Sequence, residues 1–351
     1  MNFDKIYHEE YPVPNKYLVD VNWDCNLNCK MCVKRGLSTP FGQKPLSTFT
    51  EIVEKLPWAR EISLGCLGDA FSYKEFGDAM KYLKTKKITA PFTTNATQLD
   101  DDNIQYLSQN NAVYVSIDSG DTVKYKEIRG KDCLDIVKQN IKKLKRLNPP
   151  ISIGINNLVF NDNLQYAEEL IKFLSPYRIP ITFFYPIHFY KELEKKCNFW
   201  NLSDTDRQKQ INELLDIIKT YNLPSMVPSA VMKERVCFRA FLQPMIAYDG
   251  SVYPCDYIYQ DMNNWDKPEW NHWFRGECTK IPQHQYKMGN IFEDNFITMW
   301  NSPKWKQLRS QLTDLNNNGV GKPYEDIKKE IDLKKPFDHC KACLVRWSAC
   351  L

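Results

Sequence analysis

The chain has 351 residues, 43% of them hydrophobic and 13% aromatic, enough to bury one large core and a smaller one without disulfide staples. Its 47 basic and 43 acidic residues leave a net charge of only +4, so the concentrated basic face that phosphate contacts require is not expected, nor is a nucleic-acid partner. The first twenty residues hold no apolar signal core, and no segment approaches the roughly 18 apolar residues that span a bilayer, which predicts a cytoplasmic protein with no membrane partner.

After an N-terminal extension (1–16), short apolar runs alternate with helical ones as far as residue 222. "KYLVDVNW" (17–24), "EISLGCLG" (61–68), "APFTTN" (90–95), "AVYVSIDS" (112–119), "SIGINNLVF" (152–160) and "ITFFYPI" (181–187) are rich in β-branched and aromatic residues and read as buried strands. Between them, "TFTEIVEKL" carries a capping-box pattern from Thr48 to Glu51, and "YKEFGDAMKYLKTK", "DNIQYLSQ", "LDIVKQNIKKLKRL" and "NLQYAEELIKFL" space their apolar residues as helices do. Six β/α units in succession predict an α/β fold, a partial (β/α)6 TIM-like barrel with a parallel sheet and its chemistry at the strand ends. A further helix (206–221) leads into a proline-punctuated linker (223–235), and residues 236–351 form a smaller cysteine-rich domain.

Twelve cysteines in a reducing compartment point to metal ligation rather than disulfides. Three lie within eight residues, Cys25, Cys29 and Cys32 in "CNLNCKMC", directly after the first strand. Thiolates at this spacing can converge on one cubic cluster and leave one iron without a protein ligand. A closed zinc site wants four ligands, and His8 is the sole histidine before His188. Cys66, Cys133 and Cys197 read as small buried hydrophobes. Further on, Cys237 and Cys255 flank an Asp249-Gly250 hairpin turn, and Cys340 and Cys343 form a C-x2-C pair, together a closed four-thiolate set that suits zinc or [4Fe–4S] alike.

The loop "CNLNCKMC" resembles the cluster loop of the radical S-adenosylmethionine (SAM) superfamily. The resemblance implies that Cys25, Cys29 and Cys32 hold a [4Fe–4S] cluster whose fourth iron is chelated by SAM, and that reductive cleavage of SAM yields a 5′-deoxyadenosyl radical. Later motifs extend it. "GCLGDAF" stands where the family has a Gly-Gly-Glu-Pro-like turn, placing Gly68 and Asp69 at the SAM amino group; "TTNAT" resembles Thr-Asn-Gly-Thr, with Thr94 and Asn95; "SIDS" supplies Ser116 and Asp118. "YKEIRG" makes Arg129 a carboxylate partner, and Met31 stands before the third cysteine where an aromatic is frequent. Asp69, Ala96 and Met31 depart from the family pattern. Ser116 and Asp118 also fit plain strand-end capping.

The late cysteines, with "MGNIF" and the Trp300 segment, resemble the SPASM/twitch extension of these enzymes. That implies one auxiliary [4Fe–4S] cluster on Cys237, Cys255, Cys340 and Cys343, with Cys278 and Cys350 as extra ligands of a degenerate second site if there is one. Cys278 is also a candidate hydrogen-atom donor, within an aromatic insertion that either caps the barrel mouth or covers the auxiliary cluster. His188 is the histidine nearest the presumed mouth. The expected function is hydrogen-atom abstraction followed by oxidation or radical bond formation, with a reductant such as a flavodoxin or ferredoxin. The favoured substrate is a small molecule such as a sugar or aminocyclitol, since only 24 residues precede Cys25. The alternatives are a peptide- or protein-modifying maturase and a non-catalytic iron–sulfur or zinc-binding module.

Overall fold

The computed structural model describes residues 12–36, 42–65, 67–107, 111–147, 150–186, 188–230, 237–256, 270–274, 277–279 and 286–318. β1 (Lys16–Val19) runs through the cysteine loop to α1 (Leu46–Lys55). β2 (Glu61–Leu64) precedes α2 (Phe76–Thr85), β3 (Phe92–Thr94) precedes α3 (Asp101–Ile104), and β4 (Ala112–Ser116) precedes α4 (Thr122–Arg129) and α5 (Leu134–Lys145). β5 (Ser152–Leu158) leads to α6 (Ala167–Leu174), and β6 (Ile181–Phe184) to β7 (His188–Tyr190), α7 (Lys191–Cys197) and the long α8 (Asp204–Tyr221). Then come β8 (Ser225–Met226), α9 (Arg239–Leu242), β9 (Met245–Ile246), β10 (Ser251–Tyr253), β11 (Trp270–Phe274), β12 (Glu277–Thr279), β13 (Gly289–Asn290), α10 (Phe296–Trp300) and α11 (Pro303–Asn318).

Among the described residues one sheet runs in the order β13-β10-β9-β1-β2-β3-β4-β5-β6-β8, and the six expected strands β1 to β6 pair in parallel in chain order. The sheet is an open arc, the partial barrel anticipated from the β/α alternation. Each strand turns one row towards the helices. That row is apolar and buried: Tyr17 and Val19, Ile62 and Leu64, Val113 and Val115, Ile153 and Ile155, Ile181 and Phe183. The opposite row begins with the Lys16–Glu61 ion pair at 3.1 Å and is uncharged beyond it, with Ser63 beside Leu18, Thr93 beside Tyr114 and Gly154, and Ser116 beside Asn156 and Thr182. Parallel sheets are ordinarily covered on both faces. Here the second face is left accessible, and the Tyr114 side chain, 41% exposed, lies across Gly154, where an added Cβ would stand 3.1 Å from the ring.

Several expectations from the sequence need correction. Helix α1 begins at Leu46, two residues before Thr48, with Pro45 at the cap and no side-chain capping bond, so no capping box forms. The expected helix "DNIQYLSQ" (102–109) is, among the described residues, the short α3, capped by Asp100. The segment "TVKYKEIR", left without a helix above, is α4, started by the Asp121 side chain and stopped by left-handed Gly130 (φ 78°). The linker opens with β8, which adds to β6 in parallel; two residues carry no alternation to announce a strand.

The Asp249-Gly250 turn joins β9 and β10 as an antiparallel hairpin, with Gly250 at φ 82°. This hairpin extends the barrel sheet, because β9 pairs in parallel with β1. The Phe296 ring packs edge-on against Tyr17 at 5.2 Å, Trp300 lies 4.6 Å from Trp305, and the Arg309 guanidinium sits 4.6 Å over Trp300. Aromatic pairs of this geometry add about 0.5–1.5 kcal/mol each beyond their buried area.

Lys44 fastens the hairpin to the cysteine-loop side of the barrel. It is 1% exposed, donates to the Tyr248 carbonyl at 2.5 Å and lies 4.6 Å over the Tyr248 ring, while the Tyr248 hydroxyl donates to the Gln43 carbonyl at 2.7 Å. Burial lowers the Lys44 pKa from 10.5 to about 8, against the opposing pull of Asp20 and Asp249. Between those values the unfolded chain holds a proton that the folded one has released, so stability rises with pH through the window. In urea denaturation at matched pH, the native protein is expected to gain about 3 kcal/mol between pH 8 and 10.5 relative to Lys44→Met, whose profile lacks this rise.

Candidate active site

Parallel pairing sends the chain out of β1, β2, β3 and β4 at one end of the sheet, and the cysteine loop is tied to all three neighbours there. The Asp69 amide donates to the Asp24 carbonyl at 2.8 Å, and the Asn22 amide donates back to the Asp69 carbonyl at 2.7 Å. Gly68 fits against this strand exit because it lacks a side chain; a Cβ there would lie 2.3 Å from the Asn22 carbonyl oxygen. From the β3 end, Asn95 donates to Asn26 Oδ1 at 3.1 Å, and Asn26 donates to Thr97 Oγ1 at 2.8 Å. From α4, the Ile128 carbonyl accepts from the Lys30 amide at 2.8 Å, and Gly130 passes so close to the Asn28 carbonyl that a Cβ would stand 2.6 Å away.

The loop carries three free thiols, Cys29 buried and Cys25 and Cys32 half-buried. Burial pushes the Cys25 thiol up, with Asp69 and Cys29 adding to it, and that of Cys32 up to about 11, with Cys29 and Cys25 adding to it. Thiols this desolvated ionise more readily when a cation compensates them, which is the condition a metal cluster meets. No three Cys, His, Asp or Glu side chains among the described residues converge tightly enough for a single metal ion. Three cysteines in C-x3-C-x2-C order are the donors that a [4Fe–4S] group would take, one thiolate to each of three irons. A cleft of about 580 Å3 opens beside Cys25, lined by Trp23, Asp24, Asn26, Lys34, Gln43, Phe71, Ser72, Lys74 and Gln98.

The side chains expected to meet SAM fall into two groups. Asp69, Thr94, Asn95, Asp118 and Arg129 are buried and bonded to the protein, whereas Ser116 and Met31 remain partly accessible. The Asp69 carboxylate accepts from the Asn95 amide at 2.6 Å, from Thr94 Oγ1 at 3.0 Å and from the Phe71 amide at 3.1 Å, so it braces the β2 and β3 ends together. Burial raises its pKa, and the three donors pull it back. Asp118 Oδ1 accepts from the Leu158 amide at 2.8 Å, and its Oδ2 lies 2.7 Å from Arg129 Nη2. Burial alone would discourage the Arg129 charge; Asp118 and Cys29 outweigh it and hold the guanidinium protonated.

Of the expected auxiliary ligands, Cys237 and Cys255 are half-buried at either end of the α9–hairpin segment. Cys340, Cys343 and Cys350 lie outside the described residues, as does Cys66. Cys133 is buried as expected, whereas Cys197 is half-buried. The backbones of His188 and Cys278 flank that of Trp273 in the small β7-β11-β12 sheet, and β7 packs against the single turn Val33–Gly36 that follows Cys32. Asn163 was missed in the sequence: its amide nitrogen donates to the Asp118 carbonyl at 2.9 Å and the Leu158 carbonyl at 2.7 Å, fixing the loop after β5 beside the site. An asparagine two residues past "VFN" carried no signal beyond loop composition.

A family model of the radical SAM superfamily matches residues 24–174, and one of the SPASM iron-sulfur cluster-binding domain matches residues 237–344. The chain is 25% identical over 310 residues to a tungsten-containing aldehyde ferredoxin oxidoreductase cofactor-modifying protein of Pyrococcus furiosus, covering 84% of this chain and 83% of the relative. It is 22% identical over 315 residues to a cysteine-type anaerobic sulfatase-maturating enzyme of Clostridium novyi, covering 80% and 77%. Among solved structures, native anSMEcpe with bound AdoMet superposes with a TM-score of 0.63 at 20% identity, covering 93% of this chain and 89% of that one. Streptococcus suis SuiB bound to S-adenosylmethionine gives 0.62 at 17% identity, covering 85% and 68%.

Ala96, where the sequence resemblance led one to expect glycine, is left-handed at φ 56° and fully buried, held by its amide on Thr94 Oγ1 at 2.9 Å and its carbonyl under Asn140 Nδ2 at 2.8 Å. An L-residue in this region carries about 1–2 kcal/mol of strain, while glycine loses about 0.5–1 kcal/mol more chain entropy on folding. Ala96→Gly is therefore expected to stabilise the protein by up to about 1 kcal/mol, and the β-branched Ala96→Val to destabilise it by more than that, both read from urea midpoints.

Proposed function

Because the chain belongs to the radical SAM superfamily and carries a SPASM domain at its C-terminal end, we propose that it is a maturase that abstracts a hydrogen atom from a residue of a peptide or protein. The observation that carries the enzymatic reading is the trio of free cysteines at the exit of β1, tied to the ends of β2, β3 and α4. When bound, the cluster and SAM together supply a 5′-deoxyadenosyl radical at that end of the barrel. Cys25, Cys29 and Cys32 would hold the cluster; Asp69 and Asn95 keep the neighbouring strand ends in register with the loop; Ser116 and the uncharged row of Thr93, Tyr114, Asn156 and Thr182 face the accessible side, where a substrate is bound without meeting a fixed charge.

The peptide reading is supported by the named activity of the sulfatase-maturating relative and by SuiB, which has been solved with a precursor peptide. It is preferred to the small-molecule expectation. A second reading, modification of a cofactor, is favoured by the name of the Pyrococcus relative. No helix among the described residues is long and apolar enough to cross a membrane. In this reading the enzyme works in the cytoplasm with a flavodoxin or ferredoxin as reductant. Cys237, Cys255, Cys340 and Cys343 hold the auxiliary cluster, and Cys278 returns a hydrogen atom.

Iron and acid-labile sulfide measured after anaerobic reconstitution test this directly. About eight irons per chain are expected, falling to about four in the Cys25/Cys29/Cys32→Ala protein. Roughly twelve would reveal a second auxiliary cluster, and zinc without sulfide would end the radical-enzyme reading. With a substrate in hand, Cys278→Ala is expected to keep SAM cleavage and lose product; unchanged turnover would remove that cysteine from the chemistry.

A further inference from the structure

Two side chains that the sequence assigned to SAM are aimed at sulfur. Arg129 Nη1 lies 3.9 Å from Cys29 Sγ, and Asn95 Nδ2 lies 3.5 Å from Cys25 Sγ. Neither group is free to turn away. Arg129 is 7% exposed, at the last position of α4, and its other terminal nitrogen is held 2.7 Å from the fully buried Asp118 carboxylate. Asn95 has its orientation dictated by a backbone donor: Oδ1 accepts from the Thr97 amide at 2.8 Å and from Thr97 Oγ1 at 2.6 Å, which leaves Nδ2 to donate to Asn26 and towards Cys25.

We propose that Arg129 and Asn95 are positioning residues that set the reduction potential of the barrel cluster through Cys29 and Cys25. The proposal rests on the cluster assignment made above and assigns these two residues to the thiolates. One-electron reduction places extra negative charge on the cluster and its sulfurs, and hydrogen bonds to those sulfurs are an established lever on the potential. A donor that carries a full charge stabilises the reduced state more than a neutral amide. The effect is large where water is excluded, as it is around Arg129. Asp118 holds the other terminal nitrogen of the guanidinium and offsets part of the positive charge. The pair thus acts as a dipole with its positive end towards Cys29, and its two members pull the potential in opposite directions.

The test is an EPR-monitored redox titration of the reconstituted full-length protein, with the Cys25/Cys29/Cys32→Ala protein supplying the auxiliary signal to subtract. Arg129→Gln is expected to weaken the preference for the reduced cluster about tenfold, a fall of about 59 mV for one electron. Asp118→Asn is expected to shift the potential upwards, Asn95→Ala to lower it by less than Arg129→Gln does, and Arg129→Lys, which keeps the charge, to retain most of the native value. Opposite signs for Arg129→Gln and Asp118→Asn are not produced by mere loosening of the loop. Shifts of the same sign, or unchanged potentials accompanied by a tenfold loss of SAM affinity in Arg129→Gln, would overturn the proposal and return Arg129 to SAM. Should Arg129→Gln fail to take up iron, Arg129→Lys and Asn95→Ala decide it by the same criterion. A native protein without a barrel cluster would instead overturn the functional reading beneath it.

Discussion

Everything at the candidate site follows from the parallel register of β1 to β4. Parallel strands release their chains at one end of a sheet, so residues far apart in sequence arrive together with no long-range device beyond backbone pairing. Cys25, Asp69, Asn95 and Asp118 each follow a different strand, yet three of those exits are joined by hydrogen bonds shorter than 3.2 Å. The site inherits its rigidity from the sheet. Gly68 and Gly130 then permit the close backbone approaches that let the cysteine loop lie flat on its neighbours.

A consequence is that polar side chains at the strand ends serve the scaffold first. Buried polar groups demand partners, and at this site they find them in each other: Asp69 with Thr94, Asn95 and Phe71, and Asp118 with Arg129 and Leu158. The groups left accessible, Ser116 and the row around Tyr114, are neutral. Apart from Asp24, Lys34 and Lys74, which line the cleft beside Cys25, the charge at the site is held behind the thiols. This division separates tuning of the metal side from recognition on the substrate side.

The barrel was legible because its strands are β-branched runs long enough to alternate and its helices carry apolar stripes. The cysteine loop was legible because thiolate spacing is dictated by the group it holds. What escaped the sequence was of another kind. Helix α4 depends on an Asp121 cap and a Gly130 stop nine residues apart, both visible, but its interior is too polar to show periodicity. Strand β8 is two residues long and is held by its neighbour. The capping-box pattern at Thr48 and Glu51 was outcompeted by Pro45, whose fixed φ starts the helix earlier. Arg129 illustrates the limit at the site itself: its motif marked it as important, but which partner it takes is decided by Asp118 and Cys29, two residues separated by 89 positions that only the fold brings together.

The pairing of β9 with β1 bears on modularity. β1 carries β2 on one edge and the hairpin on the other, and its Tyr17 side chain is covered by Phe296. A fragment ending with α8 would leave that edge with unpaired amides and carbonyls beside an uncovered aromatic, the arrangement through which sheets recruit foreign strands. The barrel and the hairpin are therefore not two interchangeable cassettes. The same strand that delivers the chain to Cys25 is completed by sequence more than two hundred residues later, so a ribosome must pass residue 246 before the first element of the site has both of its neighbours.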